Sequence, residues 1–175
     1  EDGVLEAEKR DHVPYRDWAR AEFLELCPGD IVDYLKVEQT IWEASEIFDI
    51  MTLGLDPAMA WTLSSRLMAT TEEHKGLEVI QIPQTMLGMS PATKKLETLI
   101  RARQMLHEHN TCARWNFGNV RLATDGNENV KPMKNRSVGR IDISVGWIIA
   151  MATAMLKMPV GTDINEHIND EDWGI

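Results

Sequence analysis

The sequence predicts an α/β layer, a sheet containing parallel strands and flanked by helices, with an auxiliary β-hairpin. Three observations predict it. Amphipathic stretches of helix length alternate with two short apolar runs, IMTLGLD and LEVIQIP, each followed by turn residues. The turn DGNEN carries strand-like arms on both sides. The most apolar stretch runs from about Ile141 to Lys157 and has the length of a buried helix.

Taken in order, residues 1–12 are polar and read as a flexible, frayed segment. PYRDWARAEFLEL reads as a short helix closed by the Pro28–Gly29 turn. DYLKVEQTIWEASEIF places apolar residues at 34, 37, 41, 44, 47 and 48, which is helical spacing. IMTLGLD reads as a buried strand ending at Asp56, and Pro57 suits the first turn of a helix over PAMAWTLSSRLMATT. LEVIQIP is a second strand, and Ser90–Pro91 opens the helix PATKKLETLIRARQML. CARWNFGNVRLATDGNENVKPMK reads as two extended arms around a turn, and the Ile141–Lys157 helix completes the set. With no internal repeat or low-complexity linker, the organisation is a segment 1–12, one domain over 13–158 and an acidic tail over 159–175.

Composition narrows the function classes. The chain has 175 residues, of which 43 % are hydrophobic, enough for one domain with a sizeable core. No apolar run reaches the roughly 18 residues of a membrane span, and the charged opening EDGVLEAEKRDH does not read as a secretory signal. Two cysteines, Cys27 and Cys112, make no disulfide framework and fit a reducing compartment. The ten methionines read as core filler. The net charge of −10 argues against a nucleic-acid partner, yet residues 101–140 carry eight basic side chains against three acidic ones. A local basic surface on an acidic protein can dock phosphates, although a solvated face has the same composition. A Walker-type loop and a Gly-x-Ser-x-Gly elbow are both missing, which removes nucleotide hydrolysis and serine hydrolase chemistry. His107, His109 and Cys112 in HEHNTC fall short of a four-ligand zinc site.

Two carboxylates stand out. Asp56 ends a predicted strand, and open α/β sheets bind ligands at such ends. Asp142 lies in the first turn of the most apolar helix. Either side chain could simply cap a helix. Residues 142, 146, 150 and 154, however, read Asp, Gly, Ala, Ala, a smooth face able to press against a sheet and carry Asp142 to its end. Two carboxylates brought together there would hold a hard divalent cation through oxygen.

The segments VPYRDWA, PGDIVDY, LGLDPAMA, SPATKKLETLI, HEHNTCARWNFGN, DGNENVKPMK and RIDISVGWIIAMATA follow one another as in phage terminase large subunits. The chain resembles the nuclease part of the HK97-like branch over roughly residues 13–157. The resemblance implies an RNase H-like fold and metal-dependent endonuclease activity on concatemeric double-stranded viral DNA during packaging. It implies that Asp56 and Asp142 are catalytic ligands of two Mg²⁺ or Mn²⁺ ions, and that the segment from Arg114 to Lys134 is the hairpin beside them. Arg121, Lys131, Lys134, Arg136 and Arg140 would hold the DNA backbone, with His107 and Asn119 beside the site. A terminase small subunit, the portal and the cytoplasm of a bacterial host are implied as partners and setting.

This sequence departs from the family pattern in places. Ala58 replaces an aromatic residue after the Asp-Pro pair, and Ile143 replaces a glycine after the last Ile-Asp. The family's first nuclease strand, with a further metal-binding aspartate, has no counterpart in EDGVLEAEKRDHV, and the ATPase domain has none either. The expectation is an incomplete sheet that belongs to a longer polypeptide or self-associates through its open edge. The rival reading is an inactive prophage fragment that binds DNA or packaging partners, with the Trp173 tail as a docking peptide.

Overall fold

The computed structural model describes residues 2–29, 31–106 and 109–157. Strands β1 (Leu53–Leu55) and β2 (Val79–Gln81) pair in parallel, Gly54 opposite Ile80. Parallel strands need a crossover, and a 3-10 turn over Pro57–Met59 leading into helix α4 (Ala60–Met68) supplies it. Helices α5 (Met86–Arg101) and α7 (Asp142–Lys157) close one face. Their apolar positions, spaced three and four apart, interleave Met89, Ala92 and Leu96 with Ile141, Val145, Ile148, Ile149 and Ala152 around Ile82. The parallel strands, the α7 helix and the alternation of elements are those the sequence predicts.

Strands β3 (Leu122–Thr124) and β4 (Val130–Pro132) form the antiparallel hairpin, with Leu122 opposite Pro132. Asp125 holds its turn, accepting from the Asn127 and Asn129 backbone N–H groups at 2.9 Å each. Ser90 on α5 accepts the Val130 N–H at 3.1 Å, tying β4 to the core.

Several expectations are corrected. The predicted hairpin arm from Cys112 to Asn119 is a helix, α6 (Thr111–Asn119), so the hairpin is confined to residues 122–132. Asn110 caps α6 by accepting from the Ala113 N–H at 2.9 Å. The buried face of α6, Cys112, Ala113, Asn116 and Asn119, is half asparagine, so apolar periodicity did not reveal it. Helix α5 starts at Met86, before Pro91, because Thr85 caps it from Gly88 N–H and Leu87, whose carbonyl loses its partner to Pro91, faces solvent. Residues 2–11 form a helix, α1 (Asp2–Asp11), in place of a frayed segment. It is latched to α2 (Tyr15–Arg20) by Glu8, which accepts from the Arg16 backbone at 2.8 Å and its guanidinium at 2.9 Å. The Gly146–Ala150–Ala154 face of α7 does not press on the sheet, because all three residues are exposed and the helix buries Ile141, Ser144, Val145, Ile148, Ile149, Ala152 and Thr153 instead. Helix α3 (Tyr34–Ile47) buries no residue fully, and Ile47 and Phe48 are exposed.

The first helical pair joins the rest through aromatic rings. Trp18 lies 5.6 Å from both Tyr15 and Trp115 of α6, in edge and tilted contacts. Asp11 receives a fork of two 2.8 Å bonds from Arg10 and one of 2.7 Å from the Tyr15 hydroxyl. These bonds, the Arg10 fork first, hold the Asp11 carboxyl down at about 2. Burial, then the hydrogen bond to Asp11 and its charge, pushes the Tyr15 phenol up to about 12.

Two predictions follow from this packing. A methyl at Gly54 would overlap the Thr153 hydroxyl and stand 2.9 Å from Ile149 Cγ2, so Gly54→Ala lowers stability by about 1–3 kcal/mol in a urea melt. For Asp11 the folded value is depressed, so its stabilisation is complete above the unfolded value of 3.8 and disappears as pH falls towards about 2. Chemical denaturation of Asp11→Asn across that window will show a shallower loss of stability than the parent, and an identical slope would refute the assignment.

Candidate functional site

The direction of α7 decides where its first residue lies. Lys157, at the helix end, pairs with Glu78, just before β2 begins, and Glu78 also accepts from the Thr52 hydroxyl at 2.9 Å. One step further along β1, Gly54 faces Thr153 and Ile149. The helix therefore runs against both strands, and its N-terminus with Asp142 points towards the edge where the strands end. Asp56 follows β1 at that edge.

Hydrogen bonds knit the edge together. Asp56 Oδ1 accepts from the Ala58 N–H at 3.0 Å, so the capping contact is present, and Oδ2 accepts from the Gln84 side-chain amide. Each oxygen keeps a further lone pair. Gln84, three residues past β2, accepts at its backbone carbonyl from Lys131 Nζ of β4 at 2.8 Å. Lys134, just beyond β4, donates to Asp142 Oδ1 at 2.7 Å. One short segment thus places two ammonium groups, one on the Asp56–Gln84 side and one on Asp142.

The other expected residues are distributed as follows. Arg121 is exposed and folds back to the Val120 carbonyl at 3.0 Å, while its backbone bonds to Met133 and Ser137 place it against the Met133–Ser137 turn. Arg136 is exposed on that same turn. Arg140 lies 3.7 Å from Asp11, turned towards the first helices. Asn119 is buried and donates to the Arg140 carbonyl at 3.0 Å. His107 lies outside the described residues. Cys112 is buried in the first turn of α6, and burial pushes its thiol up, away from the thiolate a zinc ion would need.

Gln84 and Asn116 escaped the sequence reading. Gln84 announced itself only as a polar residue after the second strand, next to the strand that carries Asp56. Asn116 is buried and accepts the Ile143 N–H at 3.1 Å, and its signal was an asparagine one turn before Asn119.

Oxygen donors on two carboxylates suit a hard divalent cation, which typically takes one or two protein carboxylates and fills its shell with water and substrate phosphate. Among the described residues no three His, Cys, Asp or Glu side chains converge, and two carboxylates are fewer ligands than a pair of ions takes. No helix of the described residues is long and apolar enough to cross a membrane.

The chain is 30 % identical over 170 residues to Protein YmfN of Escherichia coli (strain K12), covering 96 % of this chain and 36 % of that protein. Its structure superposes on the large terminase of bacteriophage HK97 with a TM-score of 0.80 at 25 % identity, covering 87 % of this chain and 31 % of that one. The chain spans about a third of the length of each relative. The fold is the RNase H-like α/β layer that the resemblance implied. The sequence matches the family described as terminase large subunit, endonuclease domain, over residues 3–157, and the chain belongs to that family.

Proposed function

We propose that this domain is the metal-dependent endonuclease of a DNA-packaging terminase, hydrolysing phosphodiester bonds of concatemeric double-stranded viral DNA. The observation that supports this most is that two lysines of the β4 segment reach both carboxylates, Lys134 directly at Asp142 and Lys131 at Gln84, whose side chain holds Asp56. Asp56 and Asp142 are the residues that would hold Mg²⁺ or Mn²⁺, and such ions, when bound, supply Lewis-acid polarisation and an ionised water. Gln84 orients the Asp56 carboxylate through Oδ2. Lys134, released from Asp142, and Lys131 provide charge for the phosphates, with Arg121 and Arg136 along the neighbouring turn. Contacts of this kind place a strand without reading its sequence. The cytoplasm of a bacterial host, a small subunit and the portal belong to the same reading.

A second ion requires a third carboxylate. Among the described residues β1 pairs with β2 alone, leaving the other flank of β1 without a strand partner. Residues 50–54 on that flank, the exposed Gly146, Ala150 and Ala154 of α7 and the buried Thr153 border a groove of about 400 Å³. The small side chains leave room for an extended backbone. We place there the additional strand with its aspartate that the family resemblance implies, supplied by a longer polypeptide or by a second copy. Light scattering of this chain distinguishes the two, since a monomer removes self-association.

Nicking of supercoiled plasmid with Mn²⁺, Mg²⁺ or EDTA tests the nuclease. Asp56→Ala and Asp142→Ala are each expected to lower metal-dependent cutting by roughly 100-fold or more, as loss of an ion ligand should. Lys134→Ala should cost less, chiefly raising the DNA concentration needed for half-maximal cutting, with a flatter response to salt. A chain that never cuts, even when joined to a strand bearing the third carboxylate, would leave the DNA- or partner-binding module as the better reading. Ala150→Trp fills the β1 flank groove and should abolish cutting by the completed domain while leaving the melting temperature of this chain unchanged.

A further inference from the structure

The backbone on both sides of Asp142 is held by two buried asparagines of a neighbouring helix. Asn116 and Asn119 lie one turn apart on α6, 4 % and 8 % exposed. Asn119 uses its amide nitrogen, donating to the Arg140 carbonyl at 3.0 Å. Asn116 uses its amide oxygen, accepting the Ile143 N–H at 3.1 Å. The two amides therefore act in opposite senses on the peptide groups that flank Ile141 and Asp142. Ile141 itself is 1 % exposed in the core, so the segment is pinned at three points. Gly139 makes the approach possible, because a Cβ there would stand 2.7 Å from Asn119 Nδ2 and 3.1 Å from Trp115 Cζ2.

The Ile143 N–H is one of the amides at a helix start that lack an intrahelical partner. A helix usually satisfies such a group with its own capping side chain. The N-cap place of α7 is taken by Ile141, whose carbonyl accepts the Val145 N–H and whose buried apolar side chain has no acceptor to offer, while Asp142 Oδ1 accepts from Lys134 at the surface. The cap comes instead from α6, and that arrangement leaves the Asp142 carboxylate available.

We propose that Asn116 and Asn119 are positioning residues that fix the Asp142 carboxylate at the strand-end edge, acting through the backbone of residues 140–143. The proposal rests on the reading of Asp142 as an ion ligand. Supporting groups behind a metal ligand typically account for about 10–100-fold in metal affinity. A plain helix cap would stabilise the fold without touching ion binding.

The test uses Asn116→Ala, Asn119→Ala and Asn116→Asp in the intact polypeptide, with Asp142→Ala as reference. Two quantities are read: amide hydrogen exchange along α7, and Mn²⁺ affinity from the electron paramagnetic resonance of the free ion. The alanine variants should speed exchange of residues 142–145 by about tenfold while residues 148–152 stay within about twofold, since the rest of the helix keeps its core contacts. Mn²⁺ binding should weaken by about tenfold or more. Asn116→Asp keeps an acceptor for the Ile143 N–H and should restore both. Exchange that rises evenly along α7, or does not change, overturns the proposal. So does local loosening with unchanged Mn²⁺ affinity when Asp142→Ala abolishes binding. If Asp142→Ala itself leaves Mn²⁺ binding intact, the ion-ligand reading falls, a failure visible without any asparagine variant.

Discussion

The burial of one face of α7 against α5, α6 and the β1–β2 pair governs the rest of this structure. Ile141, Val145, Ile148, Ile149 and Ala152 enter the core together, and Gly54 allows β1 to come close enough to touch Ile149 and Thr153. Close packing fixes the rotation of a helix about its axis as well as its position. Once that rotation is set, Asp142, the first residue of α7, must project at the strand ends. The same rotation leaves Gly146, Ala150 and Ala154 open to solvent. One packing decision thus produces both the carboxylate at the edge and the flank of β1 that pairs with no strand among the described residues.

The parts of the fold legible in the sequence were those in which apolar residues alone mark the buried face. The two parallel strands and the apolar α7 meet that condition, and the DGNEN turn announced itself separately by its turn chemistry. Helix α6 fails it because Asn116 and Asn119 occupy half of its buried positions, and their interior partners are backbone groups that no local pattern reveals. The smooth stripe on α7 misled for a related reason. Small residues permit close packing without requiring it, whereas the larger Ile and Val side chains gain more from burial, at about 25 cal/mol per Å². The first helix was hidden because its stabilising contacts, Glu8 with Arg16 and Asp11 with Tyr15, join two elements across a turn.

At the candidate site the positions of the two carboxylates in the fold were legible, but their surroundings were not. Asp56 follows β1 and Asp142 opens α7, the strand-end and helix-start places that the spacing predicts. Gln84 is separated from Asp56 by 28 residues and meets it only through the parallel pairing of β1 with β2. Of the basic residues, Lys134 was read as a phosphate contact, and in the folded chain it sits on Asp142. Arg140 is directed to Asp11 on the first helical pair.

The Lys134–Asp142 pair raises the question of whether it locks the site shut, and magnitude answers it. Both side chains are more than half exposed, 65 % and 62 %. An ion pair in such a setting is worth about 0–1 kcal/mol. A divalent cation bound through carboxylate oxygen brings twice the charge and remains coordinated, so it readily outcompetes a solvated ammonium. The pair is thus better understood as charge compensation that keeps a surface carboxylate and an exposed ammonium within one bond of each other. The stiffness of the site resides instead in the buried contacts behind it, Ile141 in the core and the two asparagines on its flanking peptides. Rigid backbone beneath an exposed, exchangeable carboxylate is the division of labour that a ligand position requires, because geometry is then set by packing and occupancy by the ion.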